Sequence, residues 1–373
     1  MKVGGRQYRT IWVGEDGQSV ALIDQTKLPH AFIVASWSTL DDAVTGIERM
    51  QVRGAPLIGV AAAYGVCLAL RRDAGDGALT DACRRLSATR PTAVNLRAAL
   101  TRSMERLAPI APSDRVAAAY AFAAELADED VAGNRAIGEH GLGLLRAIAG
   151  VVRGTRRLEV MTHCNAGWLA TVDFGTALAP VYAAHDSGIP VHVWVSETRP
   201  RNQGASLTAW ELAQHGVPYT AIVDSAAGHL MQRGDVDVVL VGTDRTTAAG
   251  VVANKIGTYM KALAARDCAI PFYVAAPSSS IDWTVQDGRD IPIEERSAAE
   301  VTHVTGRSAT GQTEAVQLFP DGVVASNYGF DVTPAKFVTA LITERGVCQA
   351  SREGLLGLFP ERDWRMKTAG ATA

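Results

Sequence analysis

The stretch MTHCNAGWLA, residues 161–170, closes an apolar run that begins at Leu158, and it sets Thr162, His163, Cys164, Asn165 and Gly167 where a buried strand ends. Turn formation accounts for an asparagine and a glycine there, but not for a thiol. Downstream, apolar runs rich in Val, Ile and aromatics recur at Val191 to Val195, Tyr219 to Val223, Val236 to Val241 and Phe272 to Ala276, with helical stretches between them. Such near-continuous apolarity predicts strands covered on both faces, as in a parallel α/β sheet. Right-handed crossovers bring the C-terminal ends of such strands to one edge, where open α/β sheets bind their ligands.

Cys164 follows the first run, Glu197 the second, Asp224 the third and Asp244 the fourth, with Pro277 and Ser278 after the fifth. A thiol and three carboxylates are therefore expected on one rim, which points to catalysis. Each has a plainer reading. A lone cysteine is most often an inert buried residue, Asp224 before SAAG can be a helix cap, and Glu197 can form an ion pair with Arg199 or Arg201. Asp244, in GTDR with a helix expected soon after, is harder to explain structurally. Cys164-Asn165-Ala166-Gly167, Asn254-Lys255-Ile256-Gly257-Thr258 and Arg53-Gly54-Ala55-Pro56 each predict a helix start. There, free N–H groups and the macrodipole favour an anion, and the dipole lowers a thiol pKa. No Walker A or GxGxxG loop is present, so a phosphate monoester is favoured over a nucleotide.

Upstream the chain changes character. Short strands are expected at Tyr8 to Val13 and Val20 to Ile23, around EDGQS. Helices are expected at Asp41 to Met50, Pro56 to Arg72 and Asn95 to Leu107, and the Ala-rich stretch Asp114 to Ala149 predicts two helices broken near Gly133 or Gly141. With GTRRL (Gly154 to Leu158) as the junction, the chain reads as an α/β protein. A small, mainly helical N-terminal domain with a short β-element (1–150) precedes a Rossmann-like parallel-sheet catalytic domain (151–373).

Of the 373 residues, 47% are hydrophobic and 20% charged, as in a globular protein with a sizeable core. A net charge of −3 gives no basic surface for nucleic acid. The five cysteines include no CxxC pair, which argues against a disulfide framework or a cysteine-rich zinc site and makes the cytosol the expected compartment. The eight histidines form no HExxH, and none joins Asp224 or Glu197 at ligand spacing, so no metal is expected. The N-terminus lacks the apolar core of a signal peptide. The run Pro56 to Leu70 is too short for a bilayer and reads as a buried helix.

Eight words carry a specific likeness: VRGAPLIG from Val52, RPTAVNL from Arg90, THCNAG from Thr162, SETRPRNQGASLTAWEL from Ser196, VGTDR from Val241, VANKIGTY from Val252, PFYVAAPSSSID from Pro271 and IPIEER from Ile291. With them the chain resembles the methylthioribose-1-phosphate isomerases. These are the aldose–ketose isomerase branch of a family that also holds ribose-1,5-bisphosphate isomerase and the regulatory subunits of the initiation-factor-2 exchange complex. The resemblance implies a cytosolic homodimer of methionine salvage that converts 5-methylthioribose 1-phosphate to 5-methylthioribulose 1-phosphate without a cofactor. It implies Cys164 and Asp244 as catalytic residues, and Arg53, Gly54, Ala55, Arg90, Gln203, Asn254 and Lys255 as substrate contacts.

The chain departs from the family where Thr243 stands for Ala, at Ala249-Gly250-Val251-Val252, and at Ser206, Leu57 and Trp168. These departures bear on the 5-substituent, so 5-deoxyribose 1-phosphate is an alternative substrate. Ribose 1,5-bisphosphate would need a second anion site, and the apolar Leu57 and Trp168 argue for a thioether or methyl instead. A non-catalytic regulatory subunit would not be expected to keep Cys164, Asp244 and Asn254-Lys255 together.

Overall fold

The computed structural model describes residues 1–151 and 156–363, so Gly154 and Thr155 of the expected junction lie outside the described residues. Near the N-terminus, β1 (Ile11–Val13), β2 (Val20–Ile23) and β3 (Val34–Trp37) form a three-stranded antiparallel sheet. Helix α1 (Leu40–Glu48) opens on a capping box in which Thr39 and Asp42 satisfy each other's backbone N–H. Then follow α2 (Ala55–Arg72), α3 (Asp76–Thr89), α4 (Val94–Leu107) and α5 (Pro112–Val151). α2 is apolar on all sides, and α1, α3, α4 and α5 pack around it, which is why so uniformly hydrophobic a helix is stable here. α3 was not legible in the sequence, because only Leu79, Ala82, Cys83 and Leu86 bury a narrow stripe of an otherwise polar segment.

The Ala-rich stretch is one helix of 40 residues rather than two. Gly138 and Gly141 serve packing instead of breaking it. A Cβ on Gly141 would stand 2.3 Å from Pro180 Cγ, and one on Gly138 would stand 3.2 Å from Ala179 Cβ. α5 can therefore press directly on α6 (Ala179–Asp186). Gly141→Ala is expected to lose about 1–3 kcal/mol to overpacking, offset in part by a helix-propensity gain of about 1 kcal/mol. The readout is a lowered urea midpoint at unchanged helix content; a raised midpoint would refute the packing role.

The second region is built on β4 (Leu158–His163), β5 (Val191–Ser196), β6 (Tyr219–Ile222), β7 (Val238–Val241), β8 (Arg245–Thr247), β9 (Val252–Lys255), β10 (Phe272–Ala275), β11 (Ile281–Asp282), β12 (His303–Arg307), β13 (Thr313–Gln317), β14 (Phe330–Thr333), β15 (Ala340–Thr343) and β16 (Gly346–Cys348). Seven of them form one sheet in the order β16-β15-β10-β7-β4-β5-β6. All neighbours are parallel except β15 and β16. The five expected runs are thus all strands, and every residue of β4 and β7 is buried. α6, α7 (Ala209–His215), α8 (Ala227–Gln232) and α9 (Thr258–Asp267) lie between successive strands. From β4 the chain runs outward to β5 and β6, then returns to β7 on β4's other side. The order of strands therefore reverses between β4 and β7, the point at which such sheets hold ligands.

Of the three expected helix starts, the one at Cys164-Asn165-Ala166-Gly167 is absent. A three-residue 3₁₀ turn, Trp168–Ala170, follows Cys164-Asn165-Ala166-Gly167, and α6 begins only at Ala179. The N–H groups of Trp168 and Leu169 bond to the Glu211 carboxylate instead of opening a helix. Asp244 leads into the hairpin β8–β9, which belongs to a second sheet of order β11-β8-β9-β14. Asn254 and Lys255 are residues of β9, and Gly257 is the cap of α9. The third helix start is as expected. Gly54 caps α2 at a φ of 108°, and a Cβ there would fall 2.4 Å from the Ala170 carbonyl oxygen. Only glycine fits both demands.

Candidate active site

A narrow pocket opens where the strand order reverses, between the start of α2 and the ends of β4 and β7. Cys164, Asp244, Arg53, Gly54, Ala55, Arg90, Gln203, Asn254 and Lys255 all line it. Glu197 and Asp224 do not. They follow β5 and β6, beyond the reversal, and both bind backbone. Glu197 accepts from the N–H groups of Thr198, Gly204 and Ala205, and Asp224 accepts from that of Arg199. The rim thus presents one thiol and one carboxylate to the pocket rather than one thiol and three. Leu57 and Trp168 do not line it either; both are fully buried in hydrophobic cores. The uncharged wall is made instead by Met50, Ala55, Pro56, Ala170 and Phe330.

Cys164 takes a left-handed conformation, φ 60°, unusual for a residue other than glycine, and such conformations cluster at functional sites. Its thiol donates to Gln203 Oε1 at 3.1 Å, and its carbonyl accepts from Thr208 Oγ1 at 2.6 Å. The next residue, Asn165, binds the Arg53 guanidinium through its side-chain oxygen and, at 2.8 Å, through its carbonyl. Beneath them lies Glu211, wholly buried. Its carboxylate accepts from Asn165 Nδ2 at 2.8 Å, Trp168 N at 2.8 Å, Leu169 N at 3.0 Å and the Tyr182 hydroxyl at 2.9 Å. Gly167 leaves room for it; a Cβ there would overlap Glu211 Oε2. Burial pushes Glu211 up to about 7, against the pull of these donors. Glu211 was overlooked in the sequence, although a glutamate set between Leu207, Trp210 and Leu212 is the signal of a buried charge.

Among the described residues, the Asp244 carboxyl oxygens have no hydrogen-bond partner, although Asp244 N bonds to the Ala253 carbonyl at 3.0 Å. Asp244 keeps some exposure to the pocket, yet its carboxyl lies deep in the protein. Desolvation therefore raises its pKa, while Lys255, Arg53, Arg90 and Arg296 pull it down. A carboxyl without partners and with a raised pKa is suited to moving a proton near neutrality. Lys255 is held over the Phe330 ring, its Nζ 5.2 Å from the centroid, because β9 and β14 pair the two residues. Desolvation first, and Arg296 next, lower Lys255 to about 8. Deprotonation of Lys255 removes positive charge that an anionic substrate would meet. The value of kcat/KM is accordingly expected to fall as pH rises through about 8, and a profile flat to well above that pH would remove Lys255 from substrate binding.

His163, Asn165, Arg296 and Phe330 also line the pocket. His163 Nε2 lies 2.8 Å from the Ile256 carbonyl, which makes it the donor, and burial holds the ring's pKa well below the usual value. The ring is therefore neutral. Arg296 was within reach of the sequence, as the last residue of IPIEER. Around the pocket, Arg53, Arg90, Lys255 and Arg296 outnumber the nearby carboxylates Asp244 and Glu294, leaving surplus positive charge for an anion.

A thiol and a carboxyl without a hydrogen-bond partner among the described residues, set in a cation-rich pocket at the reversal of a parallel sheet, describe a site suited to an anionic substrate. The profile of the Initiation factor 2 subunit family matches residues 51–350, and the chain belongs to that family, in its methylthioribose-1-phosphate isomerase branch. The methylthioribose-1-phosphate isomerase of Rhodospirillum rubrum is 59% identical over 378 aligned positions, which cover 100% of this chain and 97% of the relative. That of Brucella anthropi is 60% identical, over 97% of this chain and 100% of the relative. Among solved structures, the 5-methylthioribose 1-phosphate isomerase of Pyrococcus horikoshii OT3 superimposes with a TM-score of 0.81 at 39% identity, covering 95% of this chain and 97% of that one. A protein of A. fulgidus described as the delta subunit of translation initiation factor eIF-2B superimposes with a TM-score of 0.77 at 38% identity, over 95% and 100% of the two chains.

Proposed function

We propose that this chain converts 5-methylthio-α-D-ribose 1-phosphate to 5-methylthio-D-ribulose 1-phosphate, as a step of methionine salvage. The observation that carries this reading is the placement of Cys164 and Asp244 in one pocket ringed by Arg53, Arg90, Lys255 and Arg296. The names of full-length relatives at about 60% identity point the same way. Phosphate on the anomeric oxygen blocks spontaneous ring opening, so the enzyme must break the ring bond itself. That takes an acid at the ring oxygen and a group that helps hydrogen move from C2 to C1. Aldose and ketose stand at the same oxidation level, so the conversion is internally balanced and requires no external redox partner.

In this reading Asp244 exchanges the proton, and Cys164 is the second acid–base group or stabilises the developing charge. Arg53, Arg90, Lys255 and the first-turn N–H groups of α2 at Gly54-Ala55 grip the phosphate. Gln203 and Asn254 complete the substrate contacts. The division into an N-terminal domain to residue 150 and a catalytic domain from 151, a homodimeric state and a cytosolic location belong to the same proposal. The five free thiols fit a reducing compartment. Exposed Val316, Leu318, Phe319 and Val324 on and after the β12–β13 hairpin offer a surface for a second copy.

Turnover measured side by side on methylthioribose, 5-deoxyribose and ribose 1-phosphates and on ribose 1,5-bisphosphate tests the substrate. The methylthio sugar is expected to give the highest kcat/KM. Preference for the bisphosphate, or no turnover of any of the four, would overturn the reading. Deuterium at C2 distinguishes the route, since retention at C1 marks hydride transfer and wash-out marks a proton.

A further inference from the structure

Arg90 ends α3 in the helical region, and Arg296 lies in the sheet region; both line the pocket, and one carboxylate holds the two together. Glu294 Oε2 accepts from Arg90 Nη2 at 3.0 Å. Arg296 takes Glu294 as a fork, with Nε to Oε1 at 3.0 Å and Nη2 to Oε2 at 3.1 Å. The segment is pinned from behind, because the Glu294 carbonyl accepts from Gly329 N and Arg296 N donates to the Asn327 carbonyl, each at 2.8 Å. Arg296 further packs over Phe330, 5.6 Å from the ring centroid.

Glu294 itself does not line the pocket; it stands behind the two guanidinium groups. Burial opposes its charge, yet the bonds and charge of Arg296 and Arg90 keep its pKa low, so it is a carboxylate. Arg90 is left with its Nε buried and without a partner among the described residues. An unsatisfied buried donor costs about 1–3 kcal/mol, and natural proteins carry few of them. One side of a fixed guanidinium is therefore free for an oxyanion.

We propose that Glu294 is a positioning residue for phosphate recognition, tying Arg90 to Arg296 across the seam so that Arg90 presents its unpaired edge to the substrate phosphate. This rests on the sugar-phosphate reading above. Arg296 prevents Glu294 from neutralising Arg90 outright, because one negative charge is shared by two cations. The alternative, that Glu294 is only a counter-charge, predicts the opposite sign: removing a negative charge beside an anion site tightens anion binding.

The test is calorimetric titration of the full chain with inorganic phosphate, together with steady-state kinetics, for wild type, Glu294→Gln and Arg296→Lys. Glu294→Gln is expected to weaken phosphate binding and raise KM by roughly 10-fold or more, the loss of about one charge-assisted bond, with kcat changed less than about threefold. Arg296→Lys keeps the charge but loses the fork, and is expected to shift binding in the same direction by a smaller factor. Phosphate affinity equal to or tighter than wild type in both variants overturns the proposal and leaves the isomerase reading standing. A wild-type chain that neither binds phosphate nor turns over any sugar 1-phosphate overturns both.

Discussion

Asp244→Asn is expected to lower kcat by at least about 10²–10⁴-fold, the usual contribution of one general acid–base group. The amide has nearly the same shape, and the Asp244 carboxyl makes no hydrogen bond among the described residues, so the fold should persist. Four cationic side chains nearby lose a counter-charge, so the phosphate should bind as well as before or better. The signature is therefore a collapse of kcat at constant or lowered KM, with an unchanged thermal midpoint. Loss of activity through unfolding would instead move the midpoint. Turnover within about tenfold of wild type would take Asp244 out of the mechanism.

Cys164→Ser carries the second large effect. A serine can occupy the position and still donate to Gln203 Oε1, so binding should be kept. The hydroxyl is a far weaker acid than a thiol and holds negative charge less readily. If Cys164 moves a proton or stabilises developing charge, kcat should fall by about 10²-fold or more, while substrate affinity measured by calorimetry stays within a few-fold. If Cys164 is merely a buried residue in an unusual conformation, the substitution changes stability slightly and leaves kcat near wild type. The two outcomes lie orders of magnitude apart.

Much of the sheet was legible because strands buried on both faces must be apolar at nearly every position. Leu158, Val160 and Met161 share that property with Val238 to Val241, and it can be read locally. What could not be read locally is which strand lies beside which. Cys164, Glu197, Asp224 and Asp244 look equivalent along the chain. Only the reversal of strand order between β4 and β7 sends two of them into the pocket and leaves the other two binding backbone. Gly141 misled for a similar reason. A helix-breaking reading is local, whereas the need for close approach to Pro180 depends on a partner nearly forty residues away. The pocket's nine expected residues came from the family resemblance more than from spacing. Glu211 and Glu294, which only support other groups, lay in the quoted words but carried no local sign of their partners.

The free space in the pocket is about 60 Å³, and an adjoining chamber that shares Gly54, Ala55, Arg90, Asp244 and Phe330 adds about 40 Å³. Sites that engulf small ligands span about 300–1,000 Å³. Arg53 is bound there to Asn165, Arg90 to Glu294 and Asn95 to Ser279. All three contacts join the helical region to the sheet region, and α2 carries the phosphate-facing end as a rigid rod rooted in its own core. The Arg53 and Arg90 side of the pocket comes from one region and the Cys164 and Asp244 side from the other, so the pocket exists only while these contacts keep the two together.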